Sequence, residues 1–137
     1  MILRSVFVLS MFGGAWALGQ SSVQVVAEGI DFQQDIRPIL AEHCYQCHGA
    51  DVERRQAGLR LDERAGATKH LPSEKQAIVP GRPDASSLLH RVRARDPKTR
   101  MPPVPSARLT AAEISLLQRW IEAGAGYGTH WAFAAPV

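Results

Sequence analysis

The stretch HCYQCHGA, His43 to Ala50, contains both cysteines of the chain, three residues apart and followed at once by a histidine. Four chemistries use two thiols at this spacing. A disulfide across so small a ring would constrain the unfolded chain little, because the entropic benefit grows with loop length. A thioredoxin-like pair places its first cysteine at a helix N-terminus, where the dipole lowers the thiol pKa. Cys44 instead follows an amphipathic segment and stands at its end. Zinc accepts C-x-x-C as half of a tetrahedral site but needs two further ligands. The chain has no second C-x-x-C and no H-x-x-x-H, so His70, His90 or His130 would have to be recruited singly. C-x-x-C-H is also the attachment signature of a c-type haem: each thiol adds to one vinyl group, and the adjacent imidazole, here His48, is held beneath the iron.

Distant features agree with the last reading. From Gly49 to Gly81 the hydrophobic periodicity fades, with Gly58, Gly66, Pro72, Pro80 and Gly81 as punctuation. Only Leu59–Asp62, LRLD, alternates like a short strand, and one helical turn is expected near Asp62–Thr68. So long an irregular run inside a compact domain makes sense as the cover over a ligand or cofactor. Arg100–Pro105, RMPPVP, is too rich in proline for helix or central strand. It predicts a rigid extended loop presenting Met101, whose thioether is the expected second axial ligand; His70, His90 and Lys98 are the fallback ligands. A proximal imidazole needs its other ring nitrogen oriented by a hydrogen-bond partner, and Val79-Pro80-Gly81 is the nearest candidate for His48 Nδ1.

The remaining periodicity is helical. Phe32, Ile36, Ile39, Leu40 and Cys44 fall on one face of a first helix, with Asp31 as N-cap and Pro38 as either a kink or the start of its second half. Pro83–Ala94 reads as a short helix capped from Asp84. Thr110 and Glu113 form a T-x-x-E capping box ahead of the apolar face Ile114, Leu117, Trp120 and Ile121, and Gly124 closes that helix. His43 is expected to point away from the Cys44 side into solvent.

Arg4 and the uncharged apolar run Val6–Leu18 read as a secretory signal, residues 1–19, cleaved after Ala17 or Gly19. Its removal would leave Met101 as the only methionine of the three in the chain. Residues 20–29 then form a flexible lead, 30–126 the domain, and 127–137 a tail or linker toward a further domain. The run is too short to span a bilayer comfortably, so the mature chain is expected to be periplasmic or extracellular, without a membrane span. The balance of 16 Lys+Arg against 13 Asp+Glu, a net +3, does not imply a nucleic-acid partner. The cluster Arg91, Arg93, Arg95, Lys98 and Arg100 reads as a solvated face, or as groups that pair with haem propionates or steer an acidic redox partner. Asp35, Glu42 and Glu113 make no catalytic carboxylate pair, and no serine-histidine-acid pattern stands out.

Taken in order, DIRPILAEHCYQCHG, GLRLD, IVPGRPDASSLLHRV, RMPP and LTAAEISLLQRWIEAGA resemble the class I c-type cytochrome module at the N-terminus of large exported planctomycete-type proteins, from about residue 31 to residue 126. The resemblance implies a small all-α domain wrapped around one covalently attached haem c, its first and last helices crossing with Phe32 and Trp120 near the crossing. It implies Cys44 and Cys47 as attachment points, His48 as proximal and Met101 as distal ligand, and single-electron transfer to a redox partner or fused oxidoreductase domain rather than catalysis. A structural module with a zinc-holding C-x-x-C, or a haem sensor with an open distal site, is the alternative.

Overall fold

The computed structural model describes residues 29–73 and 75–128; the expected signal segment, nearly all of the expected lead and the last residues of the expected tail lie outside them. The described fold is all-α, and its one bridge is isolated, between His70 and Gln76. Its helices are α1 (Arg37–His43), α2 (Tyr45–His48), α3 (Arg64–Thr68), α4 (Ser87–Arg93) and α5 (Ala111–Glu122).

A π-helical turn, Phe32–Ile36, leads into α1, and Pro38 gives the reason for the change of register. Proline has no N–H to continue a ladder, so the wide turn ends with the Arg37 N–H donating to the Phe32 carbonyl, and α1 starts with Pro38 in its first turn. Asp31 caps the turn as expected: its Oδ1 accepts from the Gln34 N–H at 2.8 Å, while Asp35 Oδ2 accepts from the Asp31 N–H at 2.8 Å. The Thr110–Glu113 capping box of α5 is complete, with Glu113 Oε2 2.7 Å from the Thr110 nitrogen and Thr110 Oγ1 3.2 Å from the Glu113 nitrogen. At the other end Gly124 takes φ +97°, the left-handed value that lets Ala125 turn back and donate to the Trp120 carbonyl.

The opening turn packs on α5, where Phe32 and Trp120 lie 5.7 Å apart between ring centroids, as the resemblance implied. Tyr127, assigned to the tail from sequence, completes this cluster 4.5 Å from Phe32 and donates its hydroxyl to the Leu61 carbonyl. Ile36, Leu40, Leu89, Leu117 and Ile121 fill the core around it.

Three local expectations differ from the fold. Leu59–Asp62 forms no strand; its alternation serves instead to turn Leu59 and Leu61 inward, and Arg60 outward onto Asp62 at 2.9 Å. Asp84 does not cap α4, because Pro83–Ala85 is a 3₁₀ turn and Ser86 is the N-cap. Ser86 is fully buried, and its hydroxyl serves the loop before the helix, accepting from the Val79 N–H and donating to the Arg82 carbonyl, each at 2.9 Å. The Met101 loop is bent rather than extended, with the Ser106 N–H donating to the Pro103 carbonyl.

Candidate functional site

Helix α1 ends at Cys44, and α2 holds the rest of the motif in a single turn. The next segment folds back over that turn and satisfies carbonyls that a helix end leaves without partners. Gln56 N–H donates to the Cys47 carbonyl at 2.8 Å and Leu61 N–H to the His48 carbonyl at 2.7 Å. Arg55 clamps Gly49 O at 3.0 Å and Ala50 O at 2.7 Å. Gly49 itself must be glycine, since a Cβ there would run into the Tyr45 carbonyl. Sequence reading passed over it, although a glycine directly after the motif was the available signal.

Cys44, Cys47, His48 and Met101 all line one cavity of about 390 Å³, a size in the range of cofactor sites. Its wall is largely apolar: Leu59, Leu61, Leu71 and Ala77 come from the covering segment, Leu88 and Val92 from α4, and Pro102 from the methionine loop. The expected cover is therefore a wall of the same cavity. Both thiols are free, Cys47 at the surface and Cys44 largely enclosed, and burial pushes the Cys44 thiol up to about 12. A thiol kept protonated at neutral pH is poorly suited to disulfide exchange, which speaks against a thioredoxin-like pair.

His48 is half-buried, and its pKa is lowered first by that desolvation and further by the nearby Arg91 charge, against an opposing pull from the Gln56 main chain. A neutral imidazole is the metal-binding form. Nδ1 is buried with no hydrogen-bond partner. The expected acceptor at Val79-Pro80-Gly81 is elsewhere: Gly81 donates to the Ile121 carbonyl, and Val79 faces a different cavity.

Met101 reaches the wall from a loop tied at both ends. Its N–H donates to the Arg91 carbonyl at 2.9 Å, and the preceding residue, Arg100, donates from Nη2 to the Ser106 carbonyl at 3.0 Å, bracketing Met101–Ser106. Arg100 is only 9% exposed, its Nη1 has no partner, and it stands behind the loop rather than on the cavity. Of the basic cluster, Arg91 faces the cavity, whereas Arg93 bonds Gln118 and Lys98 does not line it. The fallback ligands are not brought there either: His70 and His90 line the other cavity.

His43 is not solvated. Its side chain is 9% exposed, lies on the cavity wall and meets Glu113 Oε1 at 3.4 Å, joining the end of α1 to the start of α5. Among the described residues, the group of side chains placed to share a metal ion is Glu42, His43 and Glu113, which includes neither cysteine. Among the described residues the zinc reading thus finds no such group that includes Cys44 or Cys47; His130, named from sequence, lies outside the described residues.

An all-α domain with a C-x-x-C-H turn and a methionine loop on one apolar cavity defines a cytochrome c-like domain. Residues 44–105 match the family model described as Planctomycete cytochrome C, so that segment is similar to the planctomycete cytochrome c family. The match covers the motif, the covering segment and the methionine loop, leaving α1 and α5 outside it. No curated protein and no solved structure matches the chain. No described helix is long and apolar enough to cross a membrane.

Proposed function

We propose that this domain holds one haem c, attached by thioether bonds to Cys44 and Cys47, with His48 as proximal and Met101 as distal ligand, and carries single electrons. The observation that carries the proposal is the convergence of these four side chains, from two distant segments, on one apolar cavity. The residues fit the group: the cavity has cofactor dimensions and a largely apolar wall, and the half-buried imidazole on it is favoured in its neutral, metal-binding form. Bound there, a haem supplies one-electron cycling between Fe(II) and Fe(III).

The chain's own part is to hold and tune. Cys44 and Cys47 fix the position of the group, the leucines of the covering segment exclude water, and a thioether from Met101 favours the ferrous state and so raises the potential. The domain transforms no substrate in this reading. It acts in the periplasm or outside the cell, residues 30–126 with Tyr127 forming the carrier unit, and passes electrons to or from a redox protein or a fused oxidoreductase domain.

The test is production of the exported chain in a host that matures c-type cytochromes. The expected product is coloured, keeps a c-type spectrum after acid-acetone extraction, and has the mass of the processed chain plus one haem. A colourless, unmodified product from that host would overturn the proposal, and bound zinc in its place would establish the structural alternative.

A further inference from the structure

A second cavity, about 670 Å³, backs onto the first, and Lys75 and Arg91 belong to the walls of both. Its wall presents the cations Lys75, Arg82 and Arg91 together with the imidazoles of His70 and His90, and no described acidic residue lines it. Among the described residues none of the three cations has an ion-pair partner, since the carboxylates that do pair are taken by His43, Arg54 and Arg60. A concave surface of one sign focuses its field and concentrates counter-ions of the opposite sign.

The cleft is built rather than incidental. Arg82 stands on the loop braced by fully buried Ser86, whose hydroxyl ties the Arg82 carbonyl and the Val79 N–H. Arg91 sits on α4 with its own carbonyl engaged by Met101. The two guanidiniums are exposed on elements whose backbones are separately anchored, Arg91 Nη1 donating to the Thr99 carbonyl at 3.4 Å, and each can take an oxyanion in a fork. The space far exceeds what a monatomic ion needs, a water's share of liquid being about 30 Å³.

We propose that this cleft binds a small anion carrying two or more phosphate or carboxylate groups, through Arg82 and Arg91 with Lys75. Binding requires no haem, so the site stands or falls separately from the electron-transfer reading.

Isothermal titration of the exported holoprotein with pyrophosphate tests it. The expected result is saturable binding that weakens as salt rises. Arg82→Ala, which touches neither the haem cavity nor the core, is expected to weaken it at least roughly tenfold, the order of one lost charge-assisted fork. Arg82→Lys is expected to retain more of it, with the visible spectrum of both variants unchanged. Absence of saturable binding, Arg82→Ala binding as tightly as the parent, or acetate binding as tightly as pyrophosphate would each overturn the proposal. A parallel titration with citrate selects between carboxylate and phosphate ligands, and either preference supports the site.

Discussion

The proposed distal ligand depends on a loop whose closure can be weakened at one residue, Arg100. Its Nη2 bond to the Ser106 carbonyl, 3.0 Å long and part-buried, joins the two ends of the segment that presents Met101. A hydrogen bond from a charged donor contributes about 1.5–3 kcal/mol. Arg100→Met removes the clamp but keeps an apolar side chain of similar reach, and because Nη1 already lacks a partner, exchanging this buried charge for an apolar group is not expected to unfold the domain. With the clamp gone, the population with Met101 off the iron rises by the same free energy, roughly 10- to 150-fold. An added ligand that competes for that coordination position gains apparent affinity in proportion to the competent fraction. Titrating the ferric holoprotein with imidazole and following the visible spectrum therefore reads the clamp directly. Arg100→Met should bind imidazole roughly 10- to 150-fold more tightly than the parent, and Arg100→Lys should fall between, since an ammonium donates without the planar fork. Met101→Ala sets the upper limit. If Met101→Ala binds imidazole tightly while Arg100→Met stays at the parental affinity, the clamp reasoning is refuted; if Met101→Ala itself changes nothing, Met101 is not the ligand.

Other substitutions probe the frame around the site. Gly49→Ala drives a methyl into the Tyr45 carbonyl and should lower holoprotein stability by about 1–3 kcal/mol in chemical denaturation. Trp120→Ala removes a side chain that is 2% exposed and donates to the Gly126 carbonyl at 2.8 Å, so a loss of about 3–5 kcal/mol is expected from the denaturation midpoint. Thr110→Ala breaks the α5 capping box at a cost of about 1 kcal/mol, read as a fall in melting temperature. The same box makes stability depend on acid: the Thr110 N–H and hydroxyl, and then His43, hold the Glu113 carboxyl below its ordinary value of 4.5. A depressed folded-state pKa gives stability that is fully present above the unfolded value and lost as pH falls through the folded one. The melting gap between the parent and Glu113→Gln should therefore be open near neutral pH and close in acid as the pH falls below the ordinary value of 4.5; a gap independent of pH would refute it.

What was legible in the sequence was whatever depends on near neighbours. The Asp31 cap, the Thr110–Glu113 box and the left-handed Gly124 are contacts within a few residues, so spacing alone exposes them. The C-x-x-C-H turn belongs to the same class, because the motif is one helical turn. Met101 was reachable only by elimination, as the sole methionine outside the expected signal segment, in a stretch too rich in proline for helix or central strand. The cavity it shares with His48 was visible only in the fold. Misreadings arose where a residue answers to a distant partner. His43 looks outward on a helical wheel, yet Glu113 arrives from the far end of the chain to meet it. Asp84 has the right residue type for a cap, but buried Ser86 takes that position while spending its hydroxyl on the preceding loop. The basic run from Arg91 to Arg100 shows the same limit most sharply, since one sequence cluster separates into unlike environments. Arg91 lies between two cavities, Arg93 reaches across to α5, and Arg100 is enclosed behind the methionine loop. Charge pattern reports that cations are close in sequence, whereas function depends on which carbonyl or empty space each one faces, and that is decided by the packing of α4 against α5 and the return of the loop that follows it.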